Sequence, residues 1–487
     1  MGGTVTITLR PRQEKAIADL RRSFQTKHRA PILVAPTGFG KTATSSVMIR
    51  TSIEKGLRVW FMAHLKEILD STAKALTREG IKYGYIWAGH LSDRRQQVQI
   101  VSVQSAARRL DRLEKPDLII VDEAHLAVAK TYQDVFEWAC AGPKYWKPGG
   151  ALLLHLTATP KRLDGRGMGE VADDIVLTCS SQELIDEGLL APVRYLTPDT
   201  PDMKDAHHRG GDFVASEVAA IMDKPAIVGS ALDLYMQYGR GRPALGFCAN
   251  IASAKNYAER FAAAGLRTMA ISGDDEDTYR DIALNGIQRG QLDVVFNVKL
   301  WVAGVDAPPL SYLMDLAPTE SLVRYRQGLG RGLRTFDGDQ YLPKKRDMVY
   351  ADHAGNLARH GNPLTAGEWD LAADESKRAG AGSKSEVGMK QCPKCLANVA
   401  ATARFCPIGH EFEVKTREVE EREGDLREIE LAEQARQASV EKRREQGRAQ
   451  SEDDLVAFGR ARGMKRPELW ARHVLRARAA KENRSAA

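Results

Sequence analysis

The chain has 487 residues, of which 43% are hydrophobic and 28% charged. That balance excludes a wholly disordered chain, and at about 150 residues per domain it suggests roughly three domains, or two large ones with small additions. No apolar run approaches the roughly 18–20 residues needed to cross a bilayer. The formal charge is +7, from 71 basic and 64 acidic side chains. So mild a surplus permits a polyanionic partner without demanding one. It is concentrated at the end of the chain, where nine basic residues from Arg460 to Arg484 are opposed only by Glu468 and Glu482.

The opening MGGTVTITLRPRQ has neither the apolar core of a signal peptide nor the look of a transit peptide. The expectation is a cytoplasmic protein with reduced thiols and no membrane partner. Cys140, Cys179 and Cys248 stand singly in apolar stretches. They read as buried, inert thiols, and disulfides are not expected in that compartment.

In chain order, ILVAPTG, RVWFMAH, QIVSVQS, LIIVDEAH and ALLLHLTAT are short runs, apolar on both faces, each followed by helical spacing. This is the βαβ pattern of a parallel sheet covered on both sides. The pattern restarts after Pro192 with PALGFCAN, RTMAISG, DVVFNVK, YLMDLA and DMVYAD. Two α/β domains follow, over 1–190 and 191–375. The polar stretch 197–211, with His207 and His208, reads as a surface loop. Trp60, Trp87 and Trp301 read as core or cleft residues and not as base-stacking platforms. Tyr257 and Phe261, at i, i+4 spacing, read as core. Residues 376–389 form a Gly/Ser-rich linker, 390–412 hold a cysteine cluster, and 413–487 read as a charged helical tail.

The strongest local signal is ILVAPTGFGKT. A buried strand runs into Pro36, Thr37, Gly38, Phe39, Gly40, Lys41 and Thr42, and a helix follows. Such a loop wraps backbone N–H groups around phosphate oxygens. Lys41 neutralises the outer phosphates and Thr42 offers its hydroxyl to Mg²⁺. Ala35 stands where the strict pattern has glycine, and Phe39 where a small residue is usual. Some eighty residues later, LIIVDEAH delivers Asp122 and Glu123 to the carboxyl edge of a strand, where α/β ligand sites lie. Asp122 suits Mg²⁺ and Glu123 suits polarising an attacking water. Together the two motifs predict hydrolysis of a nucleoside triphosphate.

APTGFGKT, VDEAH and LTATP together resemble the superfamily-two helicases, in particular their DEAH-type branch. Further motifs follow in the family's order over roughly residues 8–365. The closest impression is of a phage and bacterial group related to excision-repair translocases and to phage helicases of branched DNA. The resemblance implies two RecA-like parallel-sheet domains in tandem, with ATP at their junction. It implies that Gln13, in LRPRQEKAI, lies against adenine. It also implies that Gln327, Arg331 and Arg334, in RQGLGRGLR, reach the γ-phosphate, the two arginines as fingers. Asp306 would sit near the ribose or the γ-phosphate sensor. His125 and Thr157–Thr159 would relay nucleotide state to the strand-binding face. Arg108 and Arg109 are candidates for phosphate contacts along a nucleic-acid strand, or simply a solvated helix face. Lys299 stands where the family usually has an acid.

CPKCLANVAATARFCPIGHEF spaces Cys392, Cys395, Cys406 and His410 as a Cys₃His zinc site would require. A zinc-ribbon-like module is expected there, folded by its metal. The basic tail could hold DNA or dock replication or recombination proteins. The leading reading is an ATP-dependent DNA helicase or translocase acting on single-stranded, forked or branched DNA. An RNA helicase is one alternative. An ATP-switched clamp or scaffold that separates no strands is another. A nuclease or restriction subunit would need a further acidic metal cluster, which the tail does not show.

Overall fold

The computed structural model describes residues 8–161, 167–198, 201–203, 206–209, 212–298, 306–367, 369–371, 389–391, 397–400 and 411, with 451, 454 and 456 in the tail. Two compact units divide the chain, 1–412 and 413–487. The first contains two sheets. Lys299 and Trp301, the four candidate zinc ligands and nearly all of the tail lie outside the described residues.

The first sheet is built from β1 (Pro31–Val34), β2 (Val59–Ala63), β3 (Tyr83–Ile86), β4 (Val98–Ser102), β5 (Leu118–Val121), β6 (Leu152–Thr157) and β7 (Asp174–Leu177). Their order is β3-β4-β2-β5-β6-β1-β7, and every pairing is parallel. β1, β2, β4 and β5 are buried along their whole length. Continuous apolar runs suit strands covered by helices on both faces. Trp60 is core, stacked on Trp138 at 5.5 Å.

The second sheet takes β8 (Val193–Leu196), β11 (Ala244–Cys248), β12 (Thr268–Ser272), β13 (Val294–Val298), β14 (Tyr312–Leu316) and β15 (Met348–Asp352), with β9 (His208–Arg209) and β10 (Asp212–Phe213) forming a separate small ribbon. That ribbon falls within and just beyond the stretch expected to be a loop, and the rings of His208 and Phe213 meet there at 4.5 Å, tilted by 35°. The order β12-β13-β11-β14-β15-β8 is parallel throughout. Tyr257 and Phe261 are buried beneath it, as their spacing predicts. Two more strands, β16 (Met389–Gln391) and β17 (Ala397–Ala400), pair with each other and extend the sheet antiparallel from β8. The hairpin at the start of the cysteine cluster is therefore continuous with the second sheet. The sequence between its strands contains Cys392 and Cys395. Among the other thiols, Cys248 is buried, whereas Cys140 and Cys179 are only half-buried. No described helix is long and apolar enough to cross a membrane.

Candidate functional site

β1 delivers the phosphate loop at its carboxyl end. Gly38 and Gly40 have φ of +85° and +97°, a region that L side chains rarely enter. Space demands glycine as well. A Cβ on Gly40 would lie 2.3 Å from Gln13 Nε2, and one on Gly38 2.4 Å from Leu190 Cδ2. The helix Lys41–Glu54 starts directly after Gly40, and no side chain caps it. Its first-turn N–H groups are thus left to an anionic ligand. Lys41 Nζ donates to the carbonyl of Ala35 at 3.2 Å, and Thr42 is exposed at the mouth of the loop.

Two of the residues expected at the nucleotide also hold the loop in place. The side chain of Phe39 is 1% exposed and belongs to the hydrophobic core, so only its backbone is available to the loop. Gln13 is buried and braces that backbone: its Nε2 donates to Phe39 O at 2.8 Å while its Oε1 accepts from Arg10 N at 2.9 Å.

β5 ends in the two acids. Asp122 Oδ1 accepts from Glu123 N at 2.9 Å. Burial, with the adjacent Glu123 charge, pushes the Asp122 carboxyl up to about 6, against the pull of Lys41. Glu123 has φ +48°, a conformation of appreciable cost for a residue other than glycine. It turns the carboxylate towards the second sheet. There Gln327 Nε2 donates to Glu123 Oε2 at 2.9 Å. His125 Nδ1 lies 3.4 Å from the same oxygen but makes no hydrogen bond. Burial pushes His125 down to about 4, so it is neutral at pH 7 and forms no ion pair. Thr157 and Thr159 close a tight turn on each other, Thr159 N donating to Thr157 Oγ1 at 3.1 Å.

Gln327 sits on the helix Leu322–Gly330, whose first turn is capped by Ser321. That helix carries the second half of the site. A Cβ on Gly330 would fall 2.7 Å from Thr37 Oγ1, so glycine lets the helix end rest on the phosphate loop. Arg331 follows, 8% exposed. Burial lowers its guanidinium from the ordinary value, and the charge of Glu123 opposes that shift. The structure thus gathers Lys41, Asp122, Glu123, Gln327 and Arg331 around one cleft. Arg334 is separate: it is ion-paired with Asp306, another expected nucleotide contact. A cavity of about 220 Å³ opens beside the loop, lined by Pro36, Thr37, Arg326 and Gly330 among others.

Sequence reasoning missed one side chain here. Lys345 is half-buried, and its ammonium reaches the carbonyls of Pro308, Leu310 and Gly332, at 3.3 Å and 2.5 Å for the first and last. Gly332 lies between Arg331 and Arg334. In the run Lys-Lys-Arg nothing marks this lysine as different from its solvated neighbours.

Residues 6–162 match the family model described as the type III restriction enzyme, res subunit, and 224–335 match the helicase conserved C-terminal domain. The chain is 28% identical over 386 residues to a 51.5 kDa protein of a Lactococcus phage, covering 79% of this chain and 78% of that one. It is 27% identical over 243 residues to "Putative ATP-dependent helicase IRC3" of Saccharomyces cerevisiae, covering 49% of this chain but only 35% of that protein. Among solved structures it resembles "The fragment structure of a putative HsdR subunit of a type I restriction enzyme from Vibrio vulnificus YJ016", with TM-score 0.58, 18% identity, and 75% and 68% of the two chains covered. The chain belongs to the superfamily-two helicases. The two sheets are the paired α/β domains of that family, and the helicase domains imply a nucleotide-dependent ATPase.

Proposed function

We propose that this superfamily-two helicase is a DNA helicase or translocase, coupling ATP hydrolysis in the cleft to movement along DNA or its unwinding. The observation that carries the reading is the 2.9 Å hydrogen bond from Gln327 to Glu123, with buried Arg331 four residues further on and within the electrostatic reach of that carboxylate. A water-polarising acid on one sheet is linked to an arginine-bearing helix on the other, so closure of the cleft and chemistry are coupled. The left-handed glycines, the uncapped helix and the opposite charges of Lys41 and Asp122 at one cleft suit a magnesium nucleotide. Thr42 and Asp122 would hold Mg²⁺, which supplies charge neutralisation on the phosphates. Lys41 binds the outer phosphates and Glu123 takes the proton of the attacking water. Arg331 stabilises the charge that develops, a contribution worth roughly 10³–10⁵ in rate for such fingers. Arg334, oriented by Asp306, is the second arginine, and Gln13 keeps the loop in shape behind the adenine.

The restriction-subunit family and the yeast helicase, both named for work on nucleic acid or ATP-driven unwinding, support a motor on a polyanion. We assign the two motor domains to 1–190 and 191–375, and the role to replication, recombination or repair in the cytoplasm. Cys392, Cys395, Cys406 and His410 are assigned to zinc. The paired strands 389–391 and 397–400 flank Cys392 and Cys395 in the sequence, which supports that assignment. Metal content by mass spectrometry tests it. The central test is ATPase turnover with single-stranded, forked and four-way DNA and with RNA, alongside strand displacement on each. Stimulation by DNA above RNA is expected. Equal stimulation by RNA overturns the DNA assignment, and ATP-dependent binding without turnover overturns the motor.

A further inference from the structure

At the carboxyl edge of the first sheet the loops fall into two groups. Those after β1, β5 and β6 build the nucleotide cleft. Those after β2, β4 and β3 lie at the other end of the same edge, since the strand order is β3-β4-β2-β5-β6-β1. The second group is tied together: Gln104 Nε2 is 2.6 Å from His64 Nδ1, joining the β2 and β4 loops, and Ala88 N donates to Ser105 Oγ at 3.1 Å, joining the β3 and β4 loops.

β3 brings an aromatic ladder to this end. Tyr85 is half-buried against the core, but the ladder runs past the last residue of the strand. Half-buried Trp87 stacks on exposed His90, with ring centroids 4.1 Å apart and planes at 23°, and Tyr85 stands 4.6 Å from the same imidazole. Leu91, next in the chain, is 95% exposed. Cationic side chains are available on the neighbouring segment: Arg108 and Arg109 are exposed just after the short helix Val103–Ala107, whose Ser105 is bonded to Ala88 of the ladder's own segment. An unpaired nucleic-acid strand presents both complements, a π-face on every base and a phosphate beside it.

We propose that the Trp87–His90 stack, with Leu91 at its rim, is a platform for an unpaired base, while Arg108 and Arg109 hold the neighbouring phosphates. Trp87 also packs against the first core, as a core or cleft residue would, so the platform adds a role to that reading. It rests on the reading of this chain as a nucleic-acid motor, and it adds a grip on bases to a grip on the backbone. Because any base can stack, the contact is indifferent to sequence.

The test compares two labelled strands on the full-length protein by fluorescence anisotropy. One is a thymidine oligonucleotide of about 20 nucleotides and the other an abasic strand of equal length. The wild type is expected to prefer the base-bearing strand. Trp87→Ala should weaken that strand about 5- to 100-fold and leave the abasic strand unchanged, and Trp87→Phe should restore most of the loss. His90→Ala, at an exposed position, gives a smaller loss of the same kind and reports even if Trp87→Ala melts early. Replacing Arg108 and Arg109 by Gln should weaken both strands alike and lower the salt slope by about two. If Trp87→Ala and His90→Ala keep the wild-type preference, the platform is wrong and the motor stands. If the wild type binds neither strand and neither stimulates its ATPase, the motor reading fails first.

Discussion

At the end of β5, half-buried Asp122 accepts a backbone N–H from its neighbour, and Glu123 accepts from across the cleft. At the ends of β14 and β15 a second pair of carboxylates, the buried Asp315 and Asp352, is bonded very differently. Asp315 Oδ2 accepts from Tyr350 Oη and from Asn356 Nδ2. Asp352 caps the helix Asn356–His360 through the N–H groups of Ala354, Asn356 and Leu357. Burial pushes both up, Asp352 to about 6, as it does Asp122. Similar desolvation therefore accompanies opposite employment. What separates a chemical acid from a scaffold acid here is how many of its lone pairs its own chain has already filled.

The largest expected effects lie in the cleft. Lys41→Ala should abolish turnover while sparing the fold. Arg331→Ala should lower turnover by about 10³-fold or more with nucleotide affinity retained. Steady-state ATPase and equilibrium nucleotide binding check both. A variant of Arg331 that lost binding alone would have been given the wrong role.

Next comes the contrast between the acids, read by thermal melting. An Asp carboxyl raised from about 3.9 to about 6 costs the ionised, folded form on the order of 3 kcal/mol at neutral pH. Asp122→Asn removes that cost, so the variant should melt higher at pH 7 although it turns over nothing. The sign follows from linkage: between roughly pH 4 and 6 the folded state holds the extra proton, so acidification stabilises the wild type relative to the variant. The gap should close as pH falls from 7 towards 5. Asp315→Asn should instead melt lower, by about 1–3 kcal/mol, because it disturbs bonds to Tyr350 and Asn356. If both variants shift in the same direction, the distinction collapses.

A smaller effect is expected at Lys345. Burial, with Arg242 and Arg334 nearby, pushes its ammonium down to about 7 against the pull of Asp347. As pH rises through that value it sheds a proton and with it one of three backbone contacts, and the arginine segment loosens. The wild-type turnover number should fall on the alkaline side by about tenfold with the KM for ATP little changed. Lys345→Arg should move that limb upward and Lys345→Met should remove it at a lower plateau. Smallest of all is Lys66→Ala. Its ion pair with Asp277 joins the two sheets at 2.6 Å, but both side chains are exposed, and exposed pairs add little. Melting should scarcely move.

Legibility in the sequence follows burial and locality. The ten strands read as apolar runs all appear, because strands largely buried between helices are apolar at most positions, with only isolated polar residues such as His155 and Asp315 to interrupt the run. β3 and β7 were not anticipated. They form the sheet's edges, and their half-exposed residues, such as Tyr83 and Tyr85, break the run. In the cleft, Lys41, Asp122 and Glu123 were legible because each lies in a short contiguous motif. The contacts of Lys345 and the bracing role of Gln13 were not, since each depends on backbone atoms brought in by distant segments. Phe39 is instructive in the same way. Its place in the loop was evident, yet the burial of its ring depends on the surrounding core.

The hairpin on β8 has a practical consequence for anyone who shortens this chain. Residues 376–389 look like a natural place to cut, yet β17 takes up hydrogen bonds along the outer side of β8. Stopping at residue 388 would strip that cover and bare a row of backbone donors and acceptors beside Tyr195 and Leu196. Such a margin recruits strands from other molecules. The trimmed protein should therefore self-associate as its concentration rises, and light scattering would register the damage before any enzyme assay did.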